Sequence, residues 1–149
     1  MAYFDNNATT RPCEVALAAY SEALSEDWRN PSAPSSSAAR VRVKLDFARE
    51  KLAACLGVSL DTISFTSGAT ESNNAVFSHI SRHASPDARV LLSPIEHPSV
   101  REVANLYFTG RVEELPANHS GCVEFNNLDT LLDASEVALV SVMAANNET

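Results

Sequence analysis

Apolar residues recur along the chain at two different periods. After Pro12, Leu17, Tyr20 and Leu24 follow at helical spacing and predict a first helix. The segment Asn30-Pro31-Ser32-Ala33-Pro34 interrupts regular structure and reads as a loop. Val41, Leu45, Ala48, Leu52 and Cys55 then step by four, three, four and three, and Gly57 follows as a C-terminal stop. The opposite face of that helix carries Arg40, Arg42, Lys44, Arg49 and Lys51 and reads as a solvated surface.

From there the period alternates. Thr62–Thr66 predicts a strand, followed by a helix from about Glu71 to Ile80. Arg89–Ser93 predicts a second strand, followed by a helix from about Ser99 to Phe108 with Val100, Val103 and Tyr107 on one face. Arg111–Leu115 predicts a third strand, then a turn from Asn118 to Gly121 and a short helix around Leu128 to Leu132. Val137–Met143 predicts a fourth strand, apolar enough to be covered on both faces. Alternating strand and helix imply an α/β fold, a mainly parallel sheet with flanking helices and right-handed crossovers. Ligands of such sheets bind outside the carboxyl ends of the strands, so the loops after Thr66, Ser93 and Met143 carry the chemistry.

Composition narrows the function classes. The 149 residues are 45% hydrophobic and 20% charged, a globular balance rather than a disordered one. A formal charge of −8 argues against nucleic-acid and polybasic membrane partners. The longest apolar stretch, Val137 to Ala145, is too short to span a bilayer, and the N-terminus lacks the signature of a signal peptide. Cys13, Cys55 and Cys122 are odd in number and form no CxxC pair. They read as reduced thiols of a cytoplasmic protein, not as a disulfide frame or metal site.

The loop Thr66-Ser67-Gly68-Ala69-Thr70 leads from a strand end into a helix through small residues. First-turn amides lack internal acceptors and sit at the positive end of the helix dipole, so a phosphate can approach there; a plain cap at Thr70 is the alternative. The second loop, Pro94-Ile95-Glu96-His97-Pro98-Ser99, presents His97 at a strand end, suited to ring stacking or proton transfer, or else to capping. The third, Ala144-Ala145-Asn146-Asn147, offers two amides that position a ligand oxygen or form a turn.

Taken together, Tyr3-Phe4-Asp5-Asn6-Asn7-Ala8-Thr9-Thr10, Phe65 to Asn74, Glu96-His97-Pro98-Ser99-Val100 and Val140 to Thr149 resemble cysteine desulfurases of the fold-type-I, pyridoxal-phosphate-dependent class, related to class-V aminotransferases. Selenocysteine lyases share much of the pattern. The resemblance implies that Ala69 and Thr70 hold the cofactor phosphate. It implies that His97 stacks on the pyridine ring and takes part in proton transfer, and that Asn147 hydrogen-bonds the ring hydroxyl oxygen. Asn6 and Asn7 match a segment near the active-site entrance. The implied reaction converts L-cysteine to L-alanine while sulfur passes as a persulfide to an enzyme cysteine, and on to a sulfur-acceptor protein in a homodimeric enzyme.

The resemblance also implies an arrangement of the chain: residues 1–15 as a segment near the entrance, and 16–149 as the first part of a cofactor-binding large domain. The family's Ser-x-His-Lys segment, the acidic partner of the ring nitrogen and the sulfur-accepting cysteine lie beyond the Asn-Asn-Glu motif. Lys44 and Lys51, the chain's two lysines, match neither position, and no cysteine here matches the acceptor. After Asn30-Pro31-Ser32 the family usually has His and Gly, where this chain has Ala33 and Pro34. The expectation is an N-terminal part of a longer enzyme, inactive alone, with the 62–66 strand lacking sheet partners. A non-catalytic phosphate-binding module that complements a partner chain is the competing expectation.

Overall fold

The computed structural model describes residues 2–126, 128–133 and 136–147. The chain divides into two compact units, Met1–Phe65 and Thr66–Thr149. The first is helical. Helix α1 spans Glu14–Glu26 and α2 spans Ser36–Leu56. The Ser35 hydroxyl caps α2 by accepting from the Ala38 N–H at 3.2 Å. Gly57 closes it in the left-handed conformation (φ 67°), which glycine adopts without a Cβ penalty. Lys44 Nζ bridges to Asp27 Oδ2 at 2.6 Å and ties α2 to the end of α1. That hydrogen bond raises the Lys44 pKa above its ordinary value.

Two expectations for this unit need correction. The heptad-like stripe of α2 is helical but not buried: Leu45, Leu52 and Cys55 are exposed, and the only buried residues of α2 are Ala38 and Ala53. Helical spacing reports a face made for burial, and among the described residues most of this one stays exposed. The expected strand at 62–66 is instead a short 3-10 turn, Leu60–Thr62, followed by an unladdered segment. A strand needs a neighbour for its backbone groups, and among the described residues none pairs here. The Ile63 carbonyl takes a side-chain donor instead, Arg49 Nε at 3.3 Å.

The second unit contains the sheet. Helix α3 covers Ala69–His83, β1 Arg89–Leu92, α4 Pro98–Tyr107, β2 Val112–Glu114, α5 Leu128–Asp133 and β3 Val137–Ser141. The order is β2-β1-β3 and both pairings are parallel, as the alternation of periods predicts. Strand β1 is central and almost wholly buried. Val90 and Leu92 pack with Phe77 of α3 and with Val103, Ala104 and Phe108 of the α4 segment, and Leu91 fills the opposite side of the strand. Phe77 and Phe108 meet edge to face at 6.4 Å. Burying each of these large side chains is worth about 1.5–3 kcal/mol, so this cluster holds the unit together. Ion pairs Arg89–Glu113 and Arg101–Glu114 flank β2.

Strand β3 is shorter than its apolar run and only half-buried, with Val140 and Val142 exposed. The expectation that it is covered on both faces is therefore corrected. Its ladder runs to β1 alone among the described residues.

Candidate functional site

A first segment, which follows no strand, leads into α3; a second and a third, the loops after β1 and β3, leave the carboxyl side of the sheet. In the first, Gly68 is extended, and α3 begins at Ala69. The first intrahelical bond runs from Ser72 N–H to the Gly68 carbonyl at 3.2 Å. The N–H groups of Ala69, Thr70 and Glu71 therefore precede the helical ladder, and Gly68 provides no side-chain cap. Ala69, Thr70 and Gly68 are all exposed. The Ser67 hydroxyl is already committed: it donates to Glu71 Oε2 at 2.6 Å, and the Ser67 N–H reaches the same oxygen at 2.7 Å. These two bonds, the hydroxyl's first, hold the Glu71 carboxyl below the usual carboxylate range. Thr70 is thus the hydroxyl left for a ligand on the first turn.

In the second segment, Pro98 begins α4 and His97 is its N-cap. His97 Nδ1 lies 3.1 Å from the Ser99 N–H and 2.8 Å from Ser99 Oγ. Ser99 Oγ also accepts from Asn73 Nδ2 at 3.0 Å. Asn73 lies three residues after Thr70, on the same side of α3 one turn further on. A single hydrogen-bonded chain therefore links the second turn of α3 to His97.

The third segment follows β3. Asn146 Nδ2 donates to the Ile95 carbonyl at 2.9 Å, fastening this loop to the one after β1. Pro94, Ile95, Glu96, His97, Asn146 and Asn147 line a cleft of about 490 Å³, within the range of small-molecule sites. Glu96 is 8% exposed, and among the described residues its Oε1 has no hydrogen-bond partner. A buried oxygen left without a donor costs about 1–3 kcal/mol, which marks this wall of the cleft as polar.

The expected site residues fall as follows. His97 and Asn147 share the cleft, and Ala69 and Thr70 stand at the start of α3, tied toward His97 through Asn73 and Ser99. Asn6 and Asn7 sit in an exposed turn of the first unit, where Asn6 Nδ2 donates to the Tyr3 carbonyl. Lys44 and Lys51 are both on α2 of that unit, one paired with Asp27 and the other over the Phe47 ring at 5.0 Å. Ser99, Asn73 and Glu96 were given no role of their own by sequence reasoning, and Asn146, one of the two amides expected to meet a ligand, instead fastens its loop to Ile95. Their types suit many turns and caps, and only the packed loops reveal their partners.

This donor set fits a flat ring bearing a phosphate. Unladdered amides and a neutral hydroxyl stand at the helix start, an imidazole lines the cleft, and a primary amide can meet a ring oxygen. Among the described residues no group of His, Cys, Asp and Glu is arranged to hold a metal, and no helix is long and apolar enough to cross a membrane.

The chain resembles known proteins along nearly its whole length. Residues 2–149 match the family model described as aminotransferase class-V. The chain is 39% identical to a NifS/IcsS protein homolog of Lactobacillus delbrueckii subsp. bulgaricus, over 99% of this chain and 39% of that protein. It is 36% identical to a cysteine desulfurase of Azotobacter chroococcum, over 99% of this chain and 37% of that protein. Among solved structures, a NifS-like protein superposes with a TM-score of 0.85 at 35% identity, covering 98% of this chain and 40% of that one. A structure described as SspA in complex with cysteine superposes at 0.84 and 27% identity, covering 99% and 43%. The chain thus spans about two-fifths of the length of the relatives it matches.

Proposed function

The chain belongs to the class-V aminotransferase family, in its NifS-like cysteine desulfurase branch, and from that premise we propose that it contributes the phosphate-binding and ring-contacting part of a pyridoxal-phosphate-dependent cysteine desulfurase. Pyridoxal phosphate, the cofactor implied by family membership, supplies an electron sink when bound. In this reading the amides of Ala69 and Thr70, with the Thr70 hydroxyl, hold the phosphate at the α3 N-terminus, where the helix dipole favours negative charge. His97 lies against the ring and holds the proton exchanged with substrate, and the Asn147 amide meets the ring hydroxyl oxygen.

The substrate is L-cysteine, converted to L-alanine, with its sulfur carried to an enzyme thiolate and then to a sulfur-acceptor protein. The structure solved with cysteine supports that choice of substrate class. A cytoplasmic, homodimeric enzyme completes the reading, with residues 1–15 near the entrance and 16–149 as the start of the large domain. The lysine that links the cofactor, the acidic partner of its ring nitrogen and the acceptor cysteine come from sequence outside these 149 residues. The engaged positions of Lys44 and Lys51 on α2 support that division.

One observation carries the proposal: the loops after β1 and β3 share a cleft, and hydrogen bonds tie that cleft to Asn73, one turn beyond the unladdered start of α3. Co-expressing residues 1–149 with the complementary three-fifths of the Lactobacillus homolog tests it. The complex is expected to retain pyridoxal phosphate with its visible absorbance and to form alanine from cysteine. Thr70→Val is expected to weaken cofactor retention by about tenfold, the loss of one charge-assisted hydrogen bond. Cofactor retention and turnover unchanged in both Thr70→Val and His97→Ala would contradict the proposal.

A further inference from the structure

The contacts around His97 determine which of its nitrogens carries the proton. Nδ1 faces two donors. The Ser99 backbone N–H points at it from 3.1 Å and has no alternative role, because a backbone N–H only donates. The Ser99 hydroxyl stands at 2.8 Å; one of its two lone pairs accepts from Asn73 Nδ2–H at 3.0 Å, and because Nδ1 already accepts from the backbone N–H, the hydroxyl is the donor of this second bond to Nδ1. A proton on Nδ1 would set N–H against N–H at this cap. We infer that Ser99 and Asn73 are positioning residues that lock neutral His97 as the Nε2–H tautomer, so that the imidazole presents a hydrogen-bond donor, not a base, at its free edge.

Nδ1 and Nε2 lie on opposite sides of the ring. With Nδ1 turned to the first turn of α4, Nε2 faces away from that helix, and among the described residues it has no protein partner. His97 is exposed and lines the cleft, so the ligand atom that Nε2–H meets is an acceptor: a carboxylate, hydroxyl or phenolate oxygen. The neutral ring becomes a proton source only after Nδ1 is protonated, and that step requires the Ser99 hydroxyl to rotate away and the backbone cap to loosen. The proton then enters at Nδ1 and leaves from Nε2. Ser99 therefore controls whether His97 donates a hydrogen bond or passes a proton.

The inference deepens the proposed function, since it names the tautomer of the residue assigned to proton exchange, and it rests on that reading for the identity of the ligand. The tautomer itself is a property of the cofactor-free chain. Long-range ¹H–¹⁵N correlation spectra of the ¹⁵N-histidine-labelled 149-residue chain read it directly. The expected result is a pyridine-like Nδ1 and a pyrrole-like Nε2 for His97 near neutral pH. Ser99→Ala, which keeps the backbone N–H, is expected to move both signals toward the averaged pattern of a free histidine. Asn73→Ala is expected to produce a smaller shift in the same direction, and Ser99→Thr to restore the wild-type pattern. A pyrrole-like Nδ1 in the wild type, or signals unchanged in Ser99→Ala, would overturn the inference even if cofactor binding is intact. The expected tautomer in a chain that binds no cofactor would uphold it and contradict the proposed function alone.

Discussion

The two units spend similar apolar sequence in opposite ways. In Thr66–Thr149 a central parallel strand is sealed by α3 and α4, and Val90, Leu91, Leu92 and Phe108 lose essentially all contact with water. In Met1–Phe65 only Ala38 and Ala53 are buried hydrophobics among the described residues, while Trp28, Phe47 and Leu56 remain more than half exposed. Secondary structure forms in both. Periodicity and capping are local and produce α2 as surely as α4, but burial requires a partner surface that periodicity cannot supply. The site belongs to the packed unit, where three loops are held at fixed strand and helix ends.

A matched pair of substitutions tests this contrast most strongly. Phe108→Ala removes a fully buried ring and is expected to cost about 3–5 kcal/mol, enough to unfold the sheet unit or nearly so. Phe47→Ala removes an exposed ring on α2 and is expected to cost less than about 1 kcal/mol. Denaturant unfolding followed by far-UV circular dichroism measures both, and equal costs would break the comparison.

Smaller effects probe the locally encoded helix. Gly57→Ala places a Cβ at φ 67° and is expected to cost about 1 kcal/mol, although nothing lies within 4 Å of the new atom. Ser35→Ala removes the α2 cap and is expected to cost about 0.5–1 kcal/mol. Both are read as lost helicity in the same melts.

The smallest effects are electrostatic and have opposite signs with pH. The Lys44 pKa is raised by its bond to Asp27, so that pairing stabilises fully below the ordinary lysine range and fades as pH rises through the raised value. The Glu71 pKa is lowered by Ser67, so its contribution is present above about pH 4–5 and fades as pH falls through the lowered value. Both groups are solvated, so added salt is expected to shrink the alkaline effect. Melting curves of Lys44→Met and Glu71→Gln across pH check the two directions.

Much of this architecture was legible in the chain. The αL stop at Gly57, the boundaries of α4 and the parallel alternation all follow from local chemistry. The segment 62–66 was misread as a strand because its β-branched and aromatic residues signal propensity, whereas a ladder also needs a neighbour. At the site, the start of α3 and His97 stood out by residue type and position. The relay through Ser99 and Asn73 did not, because residues 26 apart in sequence meet only once α3 packs on α4. Glu96, given no role of its own from the chain alone, is buried in the wall of the cleft.

In the proposed function, the α3 N-terminus and the cleft beside it receive one phosphorylated ring. Pyridoxamine 5′-phosphate, which has no aldehyde to react with Lys44 or Lys51, reports that recognition without covalent chemistry. Titrated into the ¹⁵N-labelled chain, it is expected to produce saturable amide shifts concentrated at Ala69, Thr70 and Glu71, with smaller ones at His97 and Asn147. Shifts centred on α2, or none that saturate at the start of α3, would contradict the account.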